Sequence, residues 1–371
     1  MPLLEKIVIS DFRNIVLQEL EFSPNVNCIS GNNGEGKTNL LDAIYYVSMT
    51  KSAFASTDRF NFRHGTSEFT IAATCRMENG LQSRFSVKVN SNGEKKLRCD
   101  DKPYSKVSDH IGVLPVVLVS PSDSSMVSDS AEERRKFVNA VLSQMDKKYL
   151  SDIQQYNRLL MQRNRMLKDS FPDRSLLEVI DMRMASLADP IYNARHEFVK
   201  QLNPLVSEYY GQLSGGSEQV SILYESDLDK APLEELLAAS YEKDLALRYT
   251  SSGVQRDDFI FQMDGWQIRR CGSQGQQKSF LVSLKFAQYE IMKRSCGFAP
   301  TLLLDDVFDK LDMGRISNLL RMVSARDFGQ IFITDSNKVR LKGIVDGLTQ
   351  DRTYYETSAG TFRRIEDGIQ E

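Results

Sequence analysis

The spacing of apolar and polar residues changes character several times along the chain. Residues 4–10 and 15–22 alternate, which predicts two strands around the turn Asp11-Phe12-Arg13-Asn14. Residues 25–30 read as a short strand, and Leu40, Leu41, Ile44 and Tyr45 then fall at helical spacing. From 67 to 119 alternation returns in runs at 69–73, 84–89 and 95–99, with a turn at 90–93, which predicts an antiparallel sheet with hairpins. The run 114–119 is apolar and predicts a buried strand, stopped at Ser120-Pro121-Ser122-Asp123.

Helical spacing dominates 131–212, with a break at Phe171-Pro172-Asp173 and without heptads sustained enough for a long coiled coil. A strand is predicted at 220–224 and a helix at 231–248. The last third reads as α/β: a helix at 279–294, apolar strands at 301–304 and 330–334, and a helix at 312–325 between those strands. These patterns predict three parts. Residues 1–125 form the first part of an α/β head with a β-rich lobe, 126–254 a mainly helical arm, and 255–371 the rest of the head.

Composition narrows the function classes. The chain has 371 residues, 41% of them hydrophobic, which suits two or three soluble domains. It has no apolar run of about 18 residues, and its first residues lack a secretory pattern, so neither a membrane span nor a signal peptide is expected. Its five cysteines form no C-x-x-C pair and its three histidines are far apart, which argues against zinc and for a reducing cytoplasm. The net charge of −3 carries no nucleic-acid signature, but residues 51–110 hold eleven Lys/Arg against seven Asp/Glu.

The turn between the strand at 25–30 and the helix that follows reads Gly31-Asn32-Asn33-Gly34-Glu35-Gly36-Lys37-Thr38, the pattern G-x-x-x-x-G-K-[S/T]. Glycines let backbone N–H groups converge on phosphate oxygens at a helix N-terminus. Lys37 is expected to reach the β- and γ-phosphates of ATP, and the Thr38 hydroxyl to ligate Mg²⁺. The acidic partner comes more than 250 residues later, where the apolar run 302–304 ends in Asp305-Asp306. Asp305 is the candidate metal ligand and Asp306 the candidate polariser of the attacking water.

A second Gly-containing polar stretch, Ser273-Gln274-Gly275-Gln276-Gln277-Lys278, precedes the helix at 279–294. One chain needs one phosphate cradle per nucleotide. A second cradle therefore points to the ATP of a partner subunit, as in the signature motif of ABC-type ATPases, with Ser273, Gln274, Gly275 and Gln276 as its candidate contacts. Phe308-Asp309-Lys310-Leu311-Asp312 resembles the D-loop, and Thr334 and Asp335 occupy the place of a switch residue beside the γ-phosphate.

In order and spacing these elements resemble the RecF family of bacterial DNA replication and repair ATPases, related to SMC proteins. The resemblance runs over nearly the whole chain. It includes Asp11-Phe12-Arg13-Asn14, residues 31–39, Ser120-Pro121, Arg134-Arg135-Lys136-Phe137, Gln162-Arg163-Asn164, residues 253–258, 273–278 and Leu303-Leu304-Asp305-Asp306. Gln255 stands where the family usually has a histidine, and Ala55 where it tends to have a basic residue.

The resemblance implies an ABC-type P-loop ATPase head with a β-rich subdomain and an inserted short helical arm. It implies an ATP- and Mg²⁺-dependent homodimer that binds gapped duplexes and single-strand/double-strand junctions. Such a dimer works with RecO- and RecR-type mediators to load a RecA-type recombinase, hydrolyses ATP slowly and in a DNA-dependent way, and resides in the bacterial cytoplasm on the nucleoid. Candidate DNA contacts are Lys51, Arg59, Arg63, Lys95 and Lys96, with Arg158, Arg163 and Arg165 on the arm. A different class is an ABC subunit energising a membrane transporter. Against it stand the Asp-Phe-Arg-Asn turn, the helical insertion and the missing switch histidine. A clamp that binds ATP without hydrolysing it also remains open, since Asp306 replaces the more usual glutamate.

Overall fold

Strands buried along their whole length belong in a sheet covered on both faces, and here four apolar runs come together that way. In the computed structural model, Val26–Ser30, Ile331–Asp335, Thr301–Asp305 and Val116–Val119 lie parallel and adjacent in that order. Arg352–Ser358 pairs parallel on the other side of Val26–Ser30, and Thr361–Ile365 closes that edge as an antiparallel hairpin. The structure describes residues 1–371 except 170–172, 217, 310–311, 326–327, 346–348 and 366–371.

The chain divides into two compact units, 1–123 with 288–371, and 124–287. The first unit holds the parallel sheet and a second, six-stranded sheet. That second sheet runs Ile15–Glu21, Leu3–Phe12, Glu68–Arg76, Gln82–Asn90, Lys95–Cys99, Lys102–Pro103, antiparallel throughout. Its alternating strands bury Ile7, Ile9, Ile71, Phe85 and Val87, as period-two patterning requires. The helix Lys37–Met49 buries Leu40, Leu41, Ile44 and Val47.

The second unit begins with the helices Ser125–Ser128, Ala131–Met145 and Lys147–Met166, followed by Arg174–Ser214. At 41 residues the last is about 60 Å long. Asp173 caps it by accepting from the N–H groups of Ser175 and Leu176. Residues 171 and 172 of the expected break lie outside the described residues, and so does Ser217.

Residues 255–287, expected with the C-terminal part of the head, fall in the 124–287 unit. The reason is pairing: Asp258–Met263 forms an antiparallel ladder with Val220–Glu225 and with Trp266–Gln267. Arg134 also grips the Asp258 carboxylate through Nε at 2.7 Å and Nη2 at 3.0 Å. The single helix expected at 231–248 is instead two, Leu233–Ala239 and Tyr241–Leu247. The chain leaves helical geometry at Ser240, whose hydroxyl bonds the Asp244 carboxylate at 3.2 Å.

Candidate nucleotide site

The turn at 31–36 ends in Gly36, the N-cap of the helix Lys37–Met49, with φ of 114°. Glycine has no side chain to cap the helix, and the first turn holds no acidic residue. The first N–H groups and the positive end of the helix dipole therefore stay available to an anion. A Cβ at Gly36 would lie 2.9 Å from the Asn14 amide, so this position also excludes larger residues by contact.

The loop is fixed from outside. The Glu35 carbonyl accepts from Asn14 Nδ2 at 3.2 Å, Thr357 Oγ1 at 3.1 Å and the Gly360 N–H at 2.8 Å. Asn39 donates to Asn14 Oδ1 at 2.7 Å, and Arg13 donates to Asn39 Oδ1 at 3.0 Å. Arg13 also pairs with the buried Asp42 carboxylate at 2.7 Å. The Asp-Phe-Arg-Asn turn and the C-terminal hairpin thus act as clamps on the Gly-rich loop. Asn14 and Asn39 entered the sequence reading only as members of the Asp-Phe-Arg-Asn and 31–39 motifs, without this role. Thr357 and Gly360 had no role in it, because partners more than 300 residues apart leave no local pattern.

Lys37 is 4% exposed, and its ammonium donates to the carbonyls of Gly31 at 2.7 Å and Asn32 at 3.0 Å. Thr38 donates to Asp305 at 2.9 Å from Oδ2 and 3.2 Å from Oδ1. Residues 267 positions apart thereby form one site. The neighbouring strand completes it: Thr334 stands in register with Asp305 and donates to its Oδ1 at 2.7 Å. The Thr334 hydroxyl also accepts the N–H of Asp306 at 3.1 Å. Asp306 sits at φ of 44°, a left-handed conformation uncommon for a residue other than glycine. Asp335, the other switch candidate, is buried and accepts the Asn337 N–H at 2.8 Å.

Burial pushes the Asp305 carboxyl above its ordinary range. The Thr334 and Thr38 hydroxyls draw it partly back, Asp306 adds to the rise and Lys37 opposes it. A cation there would offset the cost of keeping the carboxylate ionised. One buried carboxylate and one hydroxyl form too small a set to hold a metal alone, and no cluster of three His, Cys, Asp or Glu occurs among the described residues. Mg²⁺ takes such sparse protein ligation when phosphates and water supply the rest, so this donor set fits it.

The stretch 273–277 differs from its expected form in one respect. The helix starts at Gln274, five residues earlier than predicted, and runs to Cys296. Ser273 and Gln276 form a reciprocal cap: the Ser273 N–H donates to Gln276 Oε1 at 2.8 Å, and the Gln276 N–H to Ser273 Oγ at 3.3 Å. Gln276 is therefore engaged in the cap, and its Nε2 donates to Glu218 at 2.7 Å. That cap does not use the Gln274 and Gly275 N–H groups of the first turn. The S-x-x-Q spacing is a capping signal legible in the sequence. Of the D-loop, Phe308 is buried and Asp309 exposed, while Lys310 and Leu311 lie outside the described residues.

The candidate DNA contacts divide sharply. Arg163 is fully buried, bound to Asp181 at 2.6 Å and Asp244 at 2.7 Å, so it braces the interior of the arm and is not a surface contact. Arg63 is paired with Asp11 at 2.6 Å, Lys95 with Asp58 at 3.0 Å, and Lys96 with Glu94 at 3.1 Å. Lys51, Arg59, Arg158 and Arg165 are exposed. Gln255 accepts from Tyr156 OH at 2.5 Å and donates to the Ser252 carbonyl at 2.7 Å, a neutral brace where the family's histidine would stand. The Ala55 N–H donates to Ser52 Oγ at 2.8 Å.

A Gly-rich loop joined to a distant carboxylate, with a capped second helix N-terminus, follows the order of motifs on which the resemblance rested. The family model described as RecF/RecN/SMC N terminal domain matches residues 3–348. The protein named DNA replication and repair protein RecF from Porphyromonas gingivalis is 41% identical over 359 residues, spanning 96% of this chain and 99% of that one. The chain belongs to the RecF family. Its fold matches a solved structure of the recombination mediator protein RecF-ATP in RecFOR pathway, with TM-score 0.89, 28% identity and 98% coverage of both chains. A Pyrococcus furiosus Smc head domain with an extended coiled coil shares the fold at TM-score 0.59 and 15% identity, covering 98% of this chain and 96% of that one. The ABC-type ATPase head expected from the sequence is the fold observed. No helix among the described residues is long and apolar enough to cross a membrane.

Proposed function

We propose that this chain is an ATP-driven DNA repair protein that dimerises on ATP, binds gapped or junction DNA and assists the loading of a RecA-type recombinase. RecO- and RecR-type mediators would be its partners, and the bacterial cytoplasm, on the nucleoid, its place of work. The observation that carries the reading is the hydrogen bond from Thr38 to Asp305, which joins the two halves of a nucleotide site across the chain. Membership of the RecF family and the likeness to a RecF-ATP structure support it.

In this reading the loop 31–36 and the N-terminus of Lys37–Met49 bind the phosphates, and Lys37 leaves the Gly31 and Asn32 carbonyls for the β- and γ-oxygens. Thr38 and Asp305 would hold Mg²⁺, which would supply neutralisation of the charge on the phosphates. Thr334 orients the Asp305 carboxylate and fixes the Asp306 backbone, and Asp306 accepts the proton of the attacking water. Ser273, Gln274 and Gly275 of a second subunit close over the γ-phosphate with backbone and hydroxyl donors. Hydrolysis is then a slow release step, because ATP is what joins the subunits. DNA contacts would be chiefly to phosphates.

The test is sedimentation of the purified protein with ATP, with ADP and without nucleotide, each with and without a gapped duplex. A dimer that requires ATP and binds the gapped duplex is expected. A monomer under all conditions, or no DNA binding at low salt, would refute the reading.

A further inference from the structure

The segment 58–63 is held by buried anchors on both sides, yet presents two large side chains, Arg59 and Phe60, to solvent. On one side Asp58 accepts from Tyr46 OH at 2.7 Å and pairs with Lys95 at 3.0 Å. On the other, Asn61 is fully buried and its carbonyl accepts the Arg13 N–H at 2.8 Å. Phe62 packs edge-on against Phe69 with ring centres 5.4 Å apart, and the Arg63 N–H donates to the Asp11 carbonyl at 3.0 Å. Between these anchors, in the single turn Asp58–Asn61, Phe60 is 67% exposed. Arg59 beside it is exposed and makes no hydrogen bond or ion pair among the described residues.

A mobile loop could turn its phenylalanine inward, but a turn pinned this way cannot. The aromatic face stays in water at a hydrophobic cost unless something covers it. The exposed residues near it in sequence are Ser56, Thr57 and His64, all polar. One exposed phenylalanine falls far short of the roughly 800 Å² per partner that a stable protein interface needs. It is, however, the size of one nucleobase. Stacking on an aromatic ring strengthens binding by about tenfold or more per base and requires that the base be unpaired. An adjacent arginine without a protein partner suits the phosphate that follows such a base.

We propose that Phe60 is a stacking platform for one unpaired base at the edge of a DNA gap, with Arg59 on the neighbouring phosphate. This rests on the DNA-binding reading above and adds to it a means of telling a junction from continuous duplex.

The test uses the full chain with ATP and a gapped duplex carrying 2-aminopurine at the first unpaired position. The unaltered protein should quench the 2-aminopurine on binding. Phe60→Ala should abolish quenching and weaken gapped-DNA binding about tenfold, leaving affinity for continuous duplex unchanged, while Phe60→Trp restores both. Arg59→Gln should weaken every DNA alike and lower the slope of log affinity against log salt by about one. Unchanged quenching and affinity in Phe60→Ala would overturn the inference and leave the DNA-binding reading intact. Equal losses for gapped and continuous DNA in Phe60→Ala would also overturn it. Failure of the unaltered protein to bind any DNA would remove the reading beneath it.

Discussion

Thr334 and Asp305 face each other in register on adjacent parallel strands, and the threonine hydroxyl donates to the carboxylate at 2.7 Å. The same oxygen accepts the Asp306 N–H at 3.1 Å, so one hydroxyl orients the candidate metal ligand and the backbone of the candidate base. Replacing it with a shape-matched apolar group, Thr334→Val, should lower Mg²⁺ affinity and ATP turnover by about 10–100-fold. Thr334→Ser should recover most of both. Mg²⁺ titration of nucleotide binding, read by calorimetry, checks the first effect independently of turnover.

Asp306 occupies a left-handed conformation that asparagine also tolerates. Asp306→Asn therefore removes the charge without straining the backbone. Turnover should fall by at least about 100-fold while ATP binding persists, so an ATP-bound dimer accumulates in sedimentation velocity. A variant that neither hydrolyses nor dimerises would deny Asp306 a role confined to the chemical step.

Ser273 has two separable duties. Ser273→Ala removes the hydroxyl half of the cap and should cost about 1 kcal/mol of stability, weakening ATP-dependent dimerisation only partly because the backbone donors remain. Ser273→Arg adds bulk and charge where a second subunit's nucleotide is expected, and should abolish dimerisation while monomers still bind ATP. If Ser273→Arg dimerises normally, the face at 273–275 is not a contact to a partner's nucleotide.

The clamp on the Gly-rich loop predicts action at a distance in sequence. Asn14→Ala and Thr357→Val each remove one donor from the Glu35 carbonyl, and each should weaken ATP binding by about fivefold, the equivalent of one hydrogen bond. Gly36→Ala should be worse, since its Cβ meets the Asn14 amide at 2.9 Å and its φ is 114°. Equilibrium binding of a fluorescent ATP analogue ranks the three.

Arg195 and Asp257 form a buried pair at 2.5 Å, and Arg195 also donates to the Val254 carbonyl, Asn139 and Tyr149. Burial holds the Asp257 carboxyl above its ordinary value, with Arg195 and neighbouring hydroxyls opposing the rise. Arg195→Met should cost about 3–5 kcal/mol, because it strands a buried carboxyl. It should also raise that carboxyl further. Between the unfolded and the raised folded pKa the unfolded chain binds fewer protons, so stability falls as pH rises through that window. The deficit of the variant should thus be largest at neutral and alkaline pH, where the stranded carboxyl must ionise, and shrink as pH falls and that carboxyl takes up its proton. Urea denaturation across pH measures it.

Much of this was legible in the residues. Buried strands announce themselves as apolar runs, and the Gly-rich turn at 31–36 lies between its strand and its helix as read, because backbone geometry there is local. Asp305-Asp306 was legible as the end of such a run, whereas the helix read as starting at 279 begins at Gln274, because the S-x-x-Q cap of Ser273 and Gln276 went unread. Other assignments needed three dimensions. Arg163 and Arg165 lie two apart on one helix with the same side-chain chemistry, but only the fold turns Arg163 toward Asp181 and Asp244 and leaves Arg165 in water. The convergence of Asn14, Thr357 and Gly360 on one carbonyl, and of Thr38 and Thr334 on one carboxylate, depends on strand order in the sheet. Sequence determines which groups a chain can offer within a turn or two of itself; which distant groups meet is decided by how its buried surfaces pack.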